Sequence, residues 1–395
     1  MKNTRFCIDM VKGVLPVGVV LLSCLFRPAP ALSQAEAWRA DFAAGEEARK
    51  AGDAETYARR MAAAVEGLPA DHLNRPFAQY HTARAFALQG DAASAARYLG
   101  MAWDEGIEAL MISFAHHDPA FDAVRDDPAY AEVMVRASSM ELSVSRLGGS
   151  VHLIHGAGSQ VVASVGADGV LLVDTGYGAA LPALRSALST LGHPRVTRLV
   201  LTHPHEDHWG GAAELAAEAR VQAHPGTIAA MAEPYTFMEG VVLPPKPDAL
   251  RDGVEPLAEG AFRFNGEEVR VFPVVAHTGG DVAVLFNASK VLHLGDAYLG
   301  GNPMMFPGGE DPDGFLDRLD AFLDAAPEGT VVVGGHDDPV DVAAVREQIA
   351  VSRGCMELVR KALAEGLTRD ETVARAEGTY AAPWVRFFYG ALSAG

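Results

Sequence analysis

The chain is poor in cysteine, with Cys7, Cys24 and Cys355 alone among 395 residues. So few thiols exclude a disulfide framework and a structural zinc site built from four thiolates. Basic side chains are scarce as well: 32 Lys and Arg face 51 Asp and Glu, a formal net charge of −19. A nucleic-acid binder draws its affinity from neutralising phosphates, so this balance argues against a nucleic-acid partner. Hydrophobic residues make up 49% of the chain, too many for a disordered protein and spread too evenly for a multi-span membrane protein. What is left is an acidic chain with the length for two or three domains and the composition of an enzyme.

The N-terminus carries Lys2, Arg5 and Lys12, then an apolar run from Val14 to Phe26, then the small residues of Ser33-Gln34-Ala35. That order is the signature of an export signal over residues 1–35. The run of 13 residues falls short of the ~20 that a spanning helix needs, and Pro16 and Gly18 interrupt it. Leu21-Leu22-Ser23-Cys24 resembles a bacterial lipobox, so membrane attachment is expected only if Cys24 is lipidated. Either route predicts a periplasmic or secreted protein. Removal of 1–35 takes away four basic residues and one acid, moving −19 to −22, and leaves Cys355 without a disulfide partner.

Residues 36–140 are Ala-rich and predict a helical module. Gly52-Asp53 and Gly90-Asp91 stand 38 residues apart within two similar stretches, with small residues at Gly45 and Ala83 where paired helices would meet. The second stretch resembles a tetratricopeptide repeat, although Asp41 and Gln79 stand where that motif has Trp. Asp118-Pro119 and Asp127-Pro128 each place an Asp N-cap before a Pro, so two short helices are expected there. The module is read either as a platform for a protein partner or as a structural cap. His116-His117 lacks a third ligand nearby and is not assigned a metal.

From about Ser143 the pattern changes to short β-branched runs separated by glycines and helical segments, an α/β arrangement. The strand ends are polar: Asp174-Thr175-Gly176, then Thr202-His203-Pro204-His205-Glu206-Asp207-His208, then His277, Asp296 and Gly335-His336. His203 and His205 alternate, so on an extended segment both face one ion, while Asp207 and His208 follow where the chain turns away and face a second. Neutral imidazole and carboxylate are the ligands that suit Zn²⁺. His293 sits inside a strand and is expected to be a satisfied core histidine; His152, His155, His193 and His224 have no place in the pattern.

The sequence His203-x-His205-x-Asp207-His208, with Asp174-Thr175-Gly176 before it and His277, Gly295-Asp296 and Gly335-His336 after it, resembles the metallo-β-lactamase superfamily. The likeness covers roughly residues 145–340. It implies an αββα sandwich, here preceded by the helical module and followed by a helical tail over 339–395 within a domain of 141–395. It further implies two Zn²⁺ ions, with iron or manganese as other metals of the fold. His203, His205 and His277 would hold the first ion, Asp207, His208 and His336 the second, and Asp296 would bridge them, with Asp174 orienting the ligand loop. The reaction implied is hydrolysis by a hydroxide held between the ions, its pKa lowered to around 7, with Asp207 helping to orient it or carry its proton. The substrate expected is a small molecule with a hydrolysable carbonyl: an ester, lactone, thioester or β-lactam. A persulfide-dioxygenase-like iron enzyme and a non-catalytic helical-repeat adaptor are the competing readings.

Several finer expectations complete the picture. The loop after Asp296 would border the pocket, with Met304, Met305 and Phe306 as an apolar wall and Tyr298 either a hydrogen-bond donor to substrate or a packed ring. The proline-rich stretch 234–256 is a second candidate rim. Basic residues of the kind that hydroxyacylglutathione hydrolases use to grip glutathione are not recognisable near the ligands. Thr368-x-x-Glu371 has the form of a capping box. Trp384, Phe387 and Phe388 stand at helical spacing and are expected to pack.

Overall fold

The structure is a computed structural model that describes residues 34–393 apart from 71, 73–74, 106–114, 116–117, 139–141, 193–194, 239–240, 244–247, 275 and 302–311. Residues 1–33 of the expected export signal, Cys24 among them, lie outside the described residues, as do His116-His117, His193 and Met304–Phe306. By contact the described chain divides into two compact units: a helical one up to Ser139 that also takes in 235–244, and a larger one of 140–234 with 245–395. No described helix is long and apolar enough to cross a membrane.

The helical unit opens with Gln34–Lys50, Ala54–Gly67, Arg75–Ala87 and Ala92–Asp104. Its two Gly-Asp turns are built identically. Gly52 and Gly90 take φ of +74° and +73°, a left-handed conformation that glycine adopts without steric cost. The next residue then caps the following helix: Asp53 accepts from the Thr56 amide at 3.0 Å and Asp91 from the Ser94 amide at 3.1 Å. At Gly45 a Cβ would come within 2.9 Å of Met61 Cε, so the first helix pair packs closely because that position is bare. Asp118 caps Pro119–Val124 through the Ala120 amide and, fully buried, also pairs with Arg84 Nε at 2.6 Å. Asp127 caps Pro128–Ser138 in the same way, at 2.8 Å from the Ala129 amide.

The larger unit contains two sheets. β1 (Ser143–Gly148), β2 (Val151–His155), β3 (Val161–Gly166) and β4 (Gly169–Val173) are antiparallel neighbours. β5 (Val196–Leu201) and β6 (Arg220–Ala223) then add in parallel. β7 (Tyr235–Met238) and β8 (Val241–Leu243), which belong to the helical unit, pair with each other, and β9 (Val254–Pro256) closes the first sheet beside β6. The second sheet runs in chain order through β10 (Gly260–Phe264), β11 (Glu267–Pro273), β12 (Val282–Phe286), β13 (Val291–Gly295), β14 (Val331–Gly334) and β15 (Val340–Asp341). The Asn265-Gly266 turn joins β10 to β11 with both residues at positive φ, +47° and +82°, as a tight hairpin demands.

The strand sequences explain the layering. β12 (VAVLF) is buried at every position, so successive side chains must enter different cores. Val284 and Phe286 pack with Val173, Val200 and Val333 between the two sheets, while Leu285 packs outward with Phe315, Leu319 and Met356 from helices. Leu171 and Leu172 divide likewise in the first sheet, the latter meeting Leu184 and Leu188 of Leu181–Thr190. Three cores between four layers make an αββα sandwich. The tail helices belong to its outer layer: Val359, Trp384, Val385 and Phe388 are buried there, with Phe387 packed against them. Along Val342–Ala364, Arg346, Arg353 and Arg360 stand seven apart and pair with Asp324, Asp317 and Asp313 of Pro312–Ala325 at 2.5, 2.7 and 2.5 Å. Thr368 and Glu371 complete the capping box of Arg369–Ala376.

Candidate metal centre

The ends of β4, β5, β13 and β14 and the turn between β11 and β12 gather on one edge of the sandwich. After β5 the chain leaves the sheet through Thr202 and enters the short helix Glu206–Trp209, with His205 at its N-cap position. This break in direction separates the side chains of His203 and His205 from those of Asp207 and His208.

All seven residues predicted as ligands come together. His203, His205, His277 and Asp296 form one group able to hold an ion and Asp207, His208 and His336 another, the ligand atoms of each lying within 4.8 Å of one another. Asp296 faces both groups, one oxygen to each. Its Oδ1 lies 3.2 Å from His208 Nε2 and 3.4 Å from His336 Nε2; its Oδ2 lies 3.5 Å from His277 Nε2 and 3.8 Å from His203 Nε2. His205 enters the first group through Nδ1, 2.9 Å from His277 Nε2. Asp207 Oδ2 joins the second, 3.4 Å from His208 Nε2 and 3.2 Å from His336 Nε2.

The protein fixes which nitrogen faces inward. Asp174, fully buried, accepts the Thr202 amide on Oδ1 at 2.8 Å, and on Oδ2 the Thr202 hydroxyl and His208 Nδ1–H, both at 2.7 Å. With its hydrogen given to Asp174, the Thr202 hydroxyl accepts from His203 Nδ1–H at 3.0 Å. His336 donates Nδ1–H to the Gly158 carbonyl at 3.2 Å. In the neutral form of all three rings Nε2 is thereby the bare, electron-pair nitrogen, the form a cation requires. His203 Nε2, His208 Nε2 and Asp296 Oδ1 are buried without a hydrogen bond among the described residues. Buried polar atoms are nearly always satisfied, so these three mark a place shaped for a further atom.

The electrostatics match. Burial opposes charge on His208, but the carboxylates of Asp207, Asp296 and Asp174 outweigh it and hold its pKa well above the ordinary imidazole value. At His336 burial is likewise outweighed by Asp296 and Asp207. Burial, then the neighbouring imidazole charge, depresses His203 strongly and brings His205 to about 3. Asp207 and Asp296 are held well below the carboxylate range because the histidines outweigh their desolvation. The buried carboxylates thus favour positive charge at His208 and His336.

Other buried groups hold the ligand loops, and sequence reasoning missed them. Ser159 Oγ donates to the Asp207 carbonyl at 2.6 Å, and the Gln160 amide to the Gly335 carbonyl at 2.7 Å. Asp281 grips the loop of His277. Polar residues standing directly beside apolar strands, as Gln160 and Thr202 do, were the available signal. His293 is the satisfied core histidine expected: Nε2–H donates to the Gln160 carbonyl at 3.1 Å and Nδ1 accepts the Gly295 amide at 3.1 Å. His224 accepts the Gly226 amide as a helix N-cap. Tyr298 packs in the outer core with Leu294 and Phe315, which selects the packed ring over the substrate donor. Of the proline-rich stretch, 235–244 belongs to the helical unit.

Comparison with known proteins falls on the same region. The model of the metallo-beta-lactamase superfamily matches residues 156–336. This segment is a metallo-beta-lactamase superfamily domain. Hydroxyacylglutathione hydrolase of Fuscovulum blasticum is 33% identical over 153 residues, 38% of this chain and 52% of that protein, so the chain spans about half the length of this curated relative. A metallo-beta-lactamase family protein of Thermus thermophilus aligns at 26% identity and a TM-score of 0.44, covering 60% of this chain and 86% of its own. A metallo-beta-lactamase from Pontibacter korlensis aligns at 22% and 0.42, covering 53% and 99%. The superfamily domain supports a hydrolase-like enzyme with a His/Asp cluster able to hold metal.

Proposed function

We propose that the chain is an exported hydrolase with two metal ions, Zn²⁺ in the first instance, that cleaves a small molecule at an ester, lactone, thioester or β-lactam carbonyl. The observation that carries this reading is Asp296, whose two oxygens face two separate imidazole groups. His203, His205 and His277 would hold the first ion and Asp207, His208 and His336 the second, with Asp296 shared. Imidazole and carboxylate donors with bare Nε2 atoms fit Zn²⁺. When bound, such ions polarise a carbonyl oxygen and lower the pKa of water.

The chain's own groups do the rest. Asp174 and Thr202 hold the Nδ1 hydrogens of His208 and His203, so that the neutral rings turn a bare nitrogen inward. Asp207, reaching the site from the first turn of a helix, orients the attacking water and carries its proton towards the leaving group. The relative's name adds a thioester to the candidate bonds. The ligand loops 202–211, 276–281, 295–301 and 334–338 contain no Lys or Arg, so they offer no cation to a glutathione carboxylate. Export rests on the pattern of residues 1–35, and a docking role for the helical unit on its two Gly-Asp repeats.

The test is turnover of a panel comprising a lactone, an aryl ester, a thioester and a cephalosporin by zinc-loaded protein, with metal content measured as purified. Asp207→Ala should lower kcat/KM on the active substrate by about 10²–10⁴-fold, the range for loss of a proton-transfer group. No metal-dependent turnover of any member, or one iron and no zinc per chain, would overturn the proposal.

A further inference from the structure

The loop between β11 and β12 carries His277 away from any regular element, and one carboxylate bonds the backbone on both sides of it. Asp281 is 2% exposed. Its Oδ2 accepts the amides on both sides of His277, from Ala276 at 2.9 Å and Thr278 at 2.7 Å. Its Oδ1 accepts the Thr278 hydroxyl at 3.0 Å, and its own carbonyl accepts the Val274 amide at 2.9 Å. The turn is pinned from outside as well. The Thr227 hydroxyl donates to the Gly280 carbonyl at 2.7 Å, and a Cβ on Gly280 would come within 2.3 Å of the Thr227 amide.

We propose that Asp281 is a positioning residue for the first metal site, holding the His277 backbone so that Nε2 meets His205 and Asp296. The inference rests on the reading of His277 as a ligand. Backbone amides flanking His277 have no ladder partner in this turn, so the carboxylate both satisfies them and sets the direction of the Cα–Cβ bond between them. Asp174 holds the loop after β5, bonding His208 directly and reaching His203 through the Thr202 hydroxyl, so each sheet's loops have their own buried carboxylate. The two anchors differ in kind: Asp174 bonds an imidazole directly, whereas Asp281 acts on His277 through the main chain.

The experiment is Zn²⁺ titration of full-length wild type, Asp281→Ala, Asp281→Asn and Thr278→Val against a competing chelator, with kcat and KM on an active substrate. Loss of an outer anchor costs a metal site about 10–100-fold in affinity. Asp281→Ala should therefore weaken one of two zinc sites by that factor, leave the other unchanged, and lower kcat more than KM rises. Asp281→Asn keeps one acceptor oxygen for the two amides and should recover most of the affinity; Thr278→Val, losing the hydroxyl alone, should stay within about threefold of wild type. If Asp281→Ala does not fold, the ordering rests on Asp281→Asn, which must still weaken one site measurably and selectively. Two zinc ions bound at wild-type affinity in every folded variant, or equal weakening of both sites, would overturn the proposal. Wild type that binds no zinc would instead defeat the underlying reading of the site.

Discussion

Gly335→Ala should disable the centre through a single methyl group. Gly335 precedes His336, and its backbone has no positive φ, so alanine meets no conformational penalty there. The obstacle is contact. A Cβ at this position would lie 1.7 Å from Asp296 Oδ1 and 2.9 Å from Asp296 Cγ. A carbon and a carboxylate oxygen need a little over 3 Å, so either Asp296 or the 335–336 backbone must move by about 1.5 Å. The backbone is held by the Gln160 amide on the Gly335 carbonyl, so the carboxylate must turn. Oδ1 is the oxygen facing His208 and His336, and it leaves the second group when it turns. A displacement of 1 Å costs about 10²-fold in rate when it misplaces a reacting geometry. Gly335→Ala should therefore lose at least about 10²-fold in kcat/KM and weaken one zinc site, while circular dichroism stays as in wild type. Retention of both zinc ions and wild-type kcat/KM would refute the geometry proposed for Asp296.

Three further predictions concern the metal itself. In the metal-free protein His208 and His336 hold protons above the usual imidazole range, so zinc must displace them. Binding near neutral pH should release about two protons, read by calorimetry in buffers of different ionisation enthalpy, and zinc affinity should fall as pH is lowered. The sign for stability follows from the same raised values. The metal-free fold gains from these histidines below their unfolded pKa and loses that gain as pH rises through the folded one, so chelated protein should weaken on the alkaline side. Chelation should also lower the melting temperature: a zinc site at 1,000 times its dissociation constant contributes about 4 kcal/mol. An unchanged melting profile after complete zinc removal would contradict ligands drawn from both sheets.

Much of the candidate centre was legible in the sequence because its seven His and Asp side chains are spaced by the geometry that brings them together. His203 and His205 alternate as an extended segment requires, and Asp207-His208 follow where a short helix begins. Asp296 and His336 stand one and two residues past the ends of β13 and β14. The strands announced themselves through β-branched content, and the Gly-Asp turns through a residue pair that both ends one helix and caps the next. The anchors were harder to see. Ser159 and Gln160 act through backbone carbonyls 48 and 175 positions away, and such contacts leave no periodic trace. Tyr298 was ambiguous for a related reason: leaving directly from a ligand, it had two available directions, and only the packing of β13 against Phe315 decides between them.

Where the candidate ligands come from bears on how such a site can be kept. His203, His205, Asp207 and His208 descend from β5 in the first sheet, whereas His277, Asp296 and His336 descend from the second. Each half supplies ligands to both groups, so neither sheet alone presents a complete site. The core between the sheets therefore sets the ligand spacing: Val200 of β5 packs against Val282, Val284 and Val333, within a few residues of the ligands that follow. The hydrogen bond from the Val282 amide to the Thr202 carbonyl, 3.0 Å, ties the two sheets at the mouth of the site itself. A shift between the sheets would change the distance from His203 to His277 before it disturbed either loop. Precision at the centre is thus a property of the inter-sheet packing, and the buried carboxylates Asp174 and Asp281 refine it within each half.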